Sequence, residues 1–204
     1  MKQLRDREKT RTEILNVGFW EIYKNGFNGV SVNDIIAKTS VTKGAFFHYF
    51  HTKNDLGYAI ADEILRDMII DRWIKPLAAY KNPIQGITTR LKKTIDASSP
   101  EELALGCPLN NLIQEMSAVD PIFRAKLLNT LELWISEIEK QLKKAQDEGY
   151  LKKSASPRQV AEFVVMTHEG GFGLSKSFRS KKIFISLYNS LKDYLNSVSE
   201  NQTK

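Results

Sequence analysis

Residues 31–50 read SVNDIIAKTSVTKGAFFHYF. Ser31 is followed three residues later by Asp34, the spacing of a reciprocal helix cap in which each side chain serves the other's backbone N–H. Val32, Ile35 and Ile36 then give a short helix an apolar face. Thr39-Ser40-Val41 is too short for more than a tight turn. A second short helix is expected from Thr42 or Lys43 to about Phe50. Two short helices around such a turn form a helix-turn-helix.

The second helix carries two kinds of residue. Phe46 and Phe50 share a face with Val41 and are expected in the core. Its start, Thr42-Lys43-Gly44-Ala45, is small, polar or basic. A recognition helix presents its N-terminal residues to base edges in the major groove. Gly44 and Ala45 allow close backbone approach, Lys43 can donate to guanine O6 or N7, and the Ala45 methyl can meet a thymine methyl. Tyr49 is expected to be shared between core and phosphate, because its ring is apolar and its hydroxyl is not.

The flanks extend the pattern. Ile14, Leu15, Gly18, Phe19 and Ile22 form a helical stripe that ends near Asn25-Gly26, where glycine can take the left-handed cap. Thr52-Lys53-Asn54-Asp55 opens a long helix through Leu56, Ile60, Ile64 and Trp73. Asn82-Pro83, Ser99-Pro100, Asp120-Pro121 and Ser156-Pro157 each place a capping residue before proline at a first helical position. Gly149 closes the helix from Pro121, the last helix runs from about Lys181 to Asn196, and the residues from Ser199 on read as a frayed tail. About nine helices and an all-α fold are expected.

The chain has 204 residues and a net charge of +6. Residues 1–53 hold nine Lys/Arg against five Asp/Glu, so most of the excess lies at the helix-turn-helix end and points to a polyanion. No apolar run reaches the ~20 residues of a membrane span, and the start is too polar for a signal peptide. With one cysteine, Cys107, no intrachain disulfide is possible. A cytoplasmic protein is expected. His48, His51 and His168 lack zinc-site spacing, and no catalytic constellation stands out. Neither a metal, nor a cofactor, nor an enzymatic activity is expected.

The stretch NGFNGVSVNDIIAKTSVTKGAFFHYFHTKNDL, residues 25–56, resembles the DNA-binding domain of TetR-type bacterial transcription regulators. Gly26-Phe27, Ser31-Val32, Asp34-Ile35, Val41, Lys43-Gly44, Tyr49-Phe50, Lys53 and Leu56 carry the likeness. It implies a helix-turn-helix DNA-binding domain over residues 1–52 and a helical ligand-binding and dimerisation domain over 53–204. It implies a homodimer on a palindromic double-stranded operator, most often a repressor released by a small-molecule or reactive-species inducer. Carried over by position, Thr42, Lys43, Gly44, Ala45, Phe47, His48 and Tyr49 approach bases or phosphates, Asn33 reaches DNA from the preceding helix, and Lys53 holds a phosphate, as a helix N-terminus favours. Three positions depart from the pattern. Ser40 stands where the turn usually has glycine, Ile36 where alanine is common, and Phe47 where tyrosine is usual.

Beyond the N-terminal quarter, Trp73, Phe123, Trp134, Met166 and His168 are candidate pocket residues, since pockets among helices are mainly apolar. Glycines 170, 171 and 173 interrupt an otherwise helical pattern and allow a kink, close helix approach or room for a ligand. By resemblance, the last two helices form a four-helix bundle with the partner's. Cys107, in GCPLNNLIQEM, precedes Pro108 and is expected at a helix N-cap, where dipole and free amides favour a thiolate. The segment resembles a branch of the family with Gly-Cys-x-Leu, some members of which sense oxidants or electrophiles. In that reading Lys176 is a possible basic neighbour. The alternative is a small buried residue closing a helix start.

Overall fold

A computed structural model describes residues 2–200, with side chains from Arg7 on. Among these residues the regular structure is helical, without strands. The elements are α1 (Lys2–Asn25), α2 (Val32–Ile36), α3 (Lys43–Tyr49), α4 (53–78), α5 (Pro83–Ala97), α6 (Pro100–Leu105), α7 (Pro108–Met116), α8 (Pro121–Asp147), α9 (Pro157–Phe178) and α10 (Lys181–Val198).

The caps form as the sequence dictates. Ser31/Asp34, Thr52/Asp55 and Ser99/Glu102 each make a reciprocal box, a device worth about 0.5–2 kcal/mol for the capping side chain. Gly26 (φ +80°) and Gly149 (φ +75°) end α1 and α8 in the left-handed conformation. Helix α4 contains two wider π turns, Ile60–Leu65 and Ile70–Ile74. Ser199 and Glu200 are held rather than frayed. Leu151 pairs with Ser199 in an isolated antiparallel bridge, and the Glu200 N–H donates to the Tyr150 carbonyl at 3.0 Å. The rest of the expected tail, 201–204, lies outside the described residues.

The chain divides into two compact units. The first takes the described residues to Arg66 together with Asn111–Thr130. Its core joins Ile14, Phe19 and Ile22 of α1, Ile35 of α2, Phe46 of α3, Leu56 and Ile60 of α4, and Phe123 and Leu127 of α8. Gly57 makes this packing possible, since a Cβ there would lie 2.3 Å from the Phe123 ring and 2.7 Å from Phe27. The second unit takes Asp67–Asn110 and the described residues from Leu131 on. Its core is built on Trp73, Leu77, Ile87, Leu91, Trp134, Ile138, Val164, Phe184 and Leu191. Helix α9 runs unbroken through its glycines. At Gly171 the reason is close approach, because a Cβ would lie 2.4 Å from the Phe184 ring of α10.

Candidate nucleic-acid interface

Helix α2 starts on the Ser31 cap and buries Ile35 completely, while Asn33 is exposed. The Ser31 hydroxyl donates to Asp34 and, with the Ser31 N–H, holds that carboxyl below its ordinary range. The turn is fixed from α1. The Ser40 N–H donates to Glu13 Oε1 at 2.7 Å, and the Ser40 hydroxyl reaches both Glu13 oxygens at 3.0 Å. Ser40 does not take the left-handed conformation, which among non-glycine residues described belongs to Arg179 alone. Serine in place of glycine therefore imposes no left-handed strain. It adds a side-chain anchor instead.

Thr42 caps α3, accepting from the Ala45 N–H at 3.2 Å. The helix then divides by face. Val41, Phe46 and Phe50 are buried, and the Arg11 guanidinium lies 5.3 Å from the Phe50 ring centroid. Thr42, Lys43, Gly44, Phe47 and His48 are exposed, with Ala45 and Tyr49 half-buried. Gly44 has no heavy atom within 4 Å of a notional Cβ, so packing does not require glycine there. Phe47 is 39% exposed, leaning edge-on against Phe46. Part of the Phe47 ring thus stays in solvent on the same outward face as Lys43 and the bare Gly44.

Lys53 opens α4, as expected, but its ammonium is turned inward. Its ammonium donates to the carbonyls of Phe27 and Val30, both at 2.8 Å, and stands 4.4 Å from the Phe27 ring centroid. The charge is turned toward the α1–α2 loop, where backbone carbonyls are otherwise short of donors. Without DNA, the Lys53 ammonium acts as a strut for that loop.

The same loop is gripped from its other side by a residue that the sequence did not single out. The Glu115 carboxylate of α7 accepts the Phe27 N–H (2.8 Å) and the Asn28 N–H (2.7 Å). Asp120 caps α8 through the Ile122 and Phe123 N–H groups and accepts from the Tyr58 hydroxyl (2.7 Å) and the Asn54 amide (3.1 Å). Arg11 and Glu63 form a two-pronged pair, and Lys126 pairs with Asp62. Apart from the Asp120 cap, these partners lie 52 to 88 residues apart, so no local spacing could have revealed them.

In the second unit, Trp73, Trp134 and His168 come together, with ring centroids 4.8–5.3 Å apart. Phe172 joins them at 4.9 Å from His168. Two candidates do not belong. Phe123 lies in the first unit, wholly buried against Phe27 (4.9 Å) and Tyr58 (4.8 Å). Met166 is 61% exposed on the outside of α9. Helical periodicity shows that a residue has an apolar neighbour, not which unit supplies it.

Cys107 is buried at the start of α7. The thiol is held well above its usual range, first by burial and then by the neighbouring Glu169 carboxylate. The Asn110 and Leu109 amides pull the other way, as expected of an N-cap, and are outweighed. The charged neighbour is thus an acid, and Lys176 is exposed on α9. This environment favours the neutral thiol and opposes activation by a lysine.

Residues 14–60 match the family model for bacterial regulatory proteins of the tetR family. Residues 83–189 match that of the tetracyclin repressor-like C-terminal domain. The chain belongs to the TetR family. Among curated relatives it is 28% identical over 172 residues to the transcriptional regulator AcuR of Cereibacter sphaeroides, covering 81% of this chain and 75% of that one. It is 24% identical over 183 residues to the HTH-type transcriptional repressor DhaR of Mycobacterium sp. strain GP1, covering 86% and 87%. Among solved structures, a TetR regulator from Chloroflexus aurantiacus superposes with a TM-score of 0.84 at 20% identity, over 96% of this chain and 98% of that one. Reduced NemR of E. coli gives 0.84 at 19%, over 96% and 100%. The protein is a DNA-binding transcriptional regulator of the TetR family.

Proposed function

We propose that this TetR-family regulator is a cytoplasmic homodimeric repressor that leaves a palindromic operator when a small molecule occupies its C-terminal helices. In this reading residues 1–52 contact DNA, and 53–204 bind the inducer and the second subunit. The observation that carries the DNA-binding assignment is the division of α3, with Phe46 and Phe50 inside and Lys43, Gly44, Phe47 and His48 outside. Helix α3 enters the major groove with Thr42, Lys43, Gly44 and Ala45 toward the bases. Phe47, His48 and Tyr49 lie along the backbone, and Asn33 approaches from α2. Two copies of α3 must stand about 34–36 Å apart, or a multiple of that, to read both half-sites.

Regulators of this family bind operators and form dimers. The exposed apolar residues of the last two helices, Phe163, Met166, Leu174, Phe178 and Ile185, support dimerisation there. The repressor assignment is supported by the name of the DhaR relative. Induction follows if the inducer prefers a spacing of the α3 pair that does not match the operator.

Selection of bound genomic fragments, followed by a release screen on the selected site, tests the whole reading. A palindromic site with protection of two half-sites is expected. Absence of any sequence-selected DNA overturns it.

A further inference from the structure

The outward face of α3 carries one large side chain with no polar atom. Phe47 is 39% exposed. It shares that face with Lys43 one turn before it, Gly44 three residues before it and His48 beside it. The ring is held from behind, because the wholly buried Phe46 meets it at 81° with ring centroids 5.3 Å apart. Nothing lies within 4 Å of a Cβ built at Gly44, so the helix surface next to the ring is bare. Family resemblance puts a tyrosine at this position. Phenylalanine keeps the ring and lacks the one group that could hydrogen-bond a phosphate.

We infer that Phe47 is a specificity-determining residue whose ring reads the C5 methyl group of a pyrimidine, thymine in the operator, in each half-site. The inference rests on the placement of α3 in the major groove proposed above and names what one of its residues recognises. Base edges in that groove present hydrogen-bond donors and acceptors, with one apolar exception, the thymine methyl. A ring laid over a donor or acceptor strips it of water and returns no bond, which is unfavourable. A ring laid over the methyl removes apolar surface of both partners from water, which is favourable. The methyl stands at the side of the groove nearest its own strand's backbone, where Phe47 lies in that placement. Lys43 and His48, on the same face, supply hydrogen-bond donors, and the ring adds a contact that they cannot make. A tyrosine hydroxyl bonded to phosphate would carry no sequence information. Its loss converts the position from holding the helix on DNA to reading a base.

Deoxyuridine tests this one methyl at a time. In the operator obtained by selection, each thymine of a half-site and its symmetry mate are replaced by deoxyuridine in turn. The affinity of the full-length protein is measured by fluorescence anisotropy. At one position the replacement is expected to lower affinity about fourfold for each half-site changed, the effect of burying one methyl group. In Phe47→Ala that loss is expected to vanish, while the slope of log K against log salt stays that of the native chain, because no phosphate contact has been removed. At the same position, a pair with 5-methylcytosine is expected to bind the native protein more tightly than one with cytosine, and Phe47→Ala equally. This arm separates the methyl from the base pair that bears it. No uracil-sensitive position in the native protein overturns the inference and leaves the ring against deoxyribose. Losses that persist unchanged in Phe47→Ala overturn it as well and assign the methyl to another residue, Ala45. Failure to select any DNA is a different result, which removes the groove placement itself and this inference with it.

Discussion

The Lys53 ammonium donates to the Phe27 carbonyl at 2.8 Å and covers the same residue's ring. With its second bond to Val30, it directs two of its three N–H donors inside the protein, at a position where family resemblance calls for a phosphate contact. Lys43, fully outside on α3, makes no such commitment.

The two lysines should therefore separate in salt titrations. Removing one phosphate-binding cation reduces the slope of log K against log salt by about 1. Lys43→Met is expected to flatten the slope and leave stability unchanged. Lys53→Met is expected to lower stability by about 1.5–3 kcal/mol, the range for hydrogen bonds to charged groups, with the slope preserved. Anisotropy titrations at several salt concentrations, beside denaturant melts, measure both. A flattened slope for Lys53→Met would restore its phosphate role.

Glu115 holds the opposite side of the Phe27–Val30 loop through two backbone N–H groups. In Glu115→Ala those donors lose their acceptor, and the Phe27 and Asn28 amides should exchange with solvent at least tenfold faster. Glu115→Gln keeps one acceptor oxygen, so only one of the two amides should change to that extent. DNA affinity should fall in the same order, since the loop seats α2. Amide exchange resolved by residue distinguishes this from global loosening, in which all core amides of the unit speed up together.

What the sequence disclosed and what it withheld follow from range. The caps at Ser31, Thr52 and Ser99 and the left-handed glycines 26 and 149 are set within four residues, and each forms as read. So does the inward face of α3, because Val41, Phe46 and Phe50 declare themselves by spacing. The partners of Lys53, Ser40 and Cys107 were not legible, because each is supplied by a distant segment, namely residues 27–30, Glu13 and Glu169. Phe123 failed for the same reason. Its apolar periodicity on α8 is real, but the rings it meets are Phe27 and Tyr58 rather than Trp73.

Gly44 tests whether the outer face of α3 is shaped for DNA or merely exposed. Nothing within 4 Å would meet an added Cβ, so Gly44→Ala removes a helix penalty of up to about 1 kcal/mol. The melting temperature should rise slightly. Operator affinity should nevertheless fall by tenfold or more, because the methyl stands where the helix approaches the groove. A variant that is more stable and binds equally well would show that Gly44 does not face DNA.

Asp120 gives the first unit a predictable response to acid. Its carboxyl is held below the usual range, first by the Phe123 N–H and then by the Tyr58 hydroxyl, with Ile122 and Asn54 adding to them. Because the folded value is depressed, the stabilisation is fully present above the ordinary carboxylate range, about pH 4. It is lost as pH falls through the lower folded value. Asp120→Asn stays uncharged at every pH and can still cap α8 through its amide oxygen. The melting temperature of the native chain should therefore exceed that of Asp120→Asn at pH 7 by its full margin. That margin should persist at pH 5 and close progressively below pH 4. Tyr58→Phe removes one of the donors that depress the carboxyl, so its margin over Asp120→Asn should be smaller and should close at higher pH. Melts of the three proteins across pH 3–7 measure this, and a gap that widens toward acid would show that the Asp120 carboxylate does not stabilise the unit.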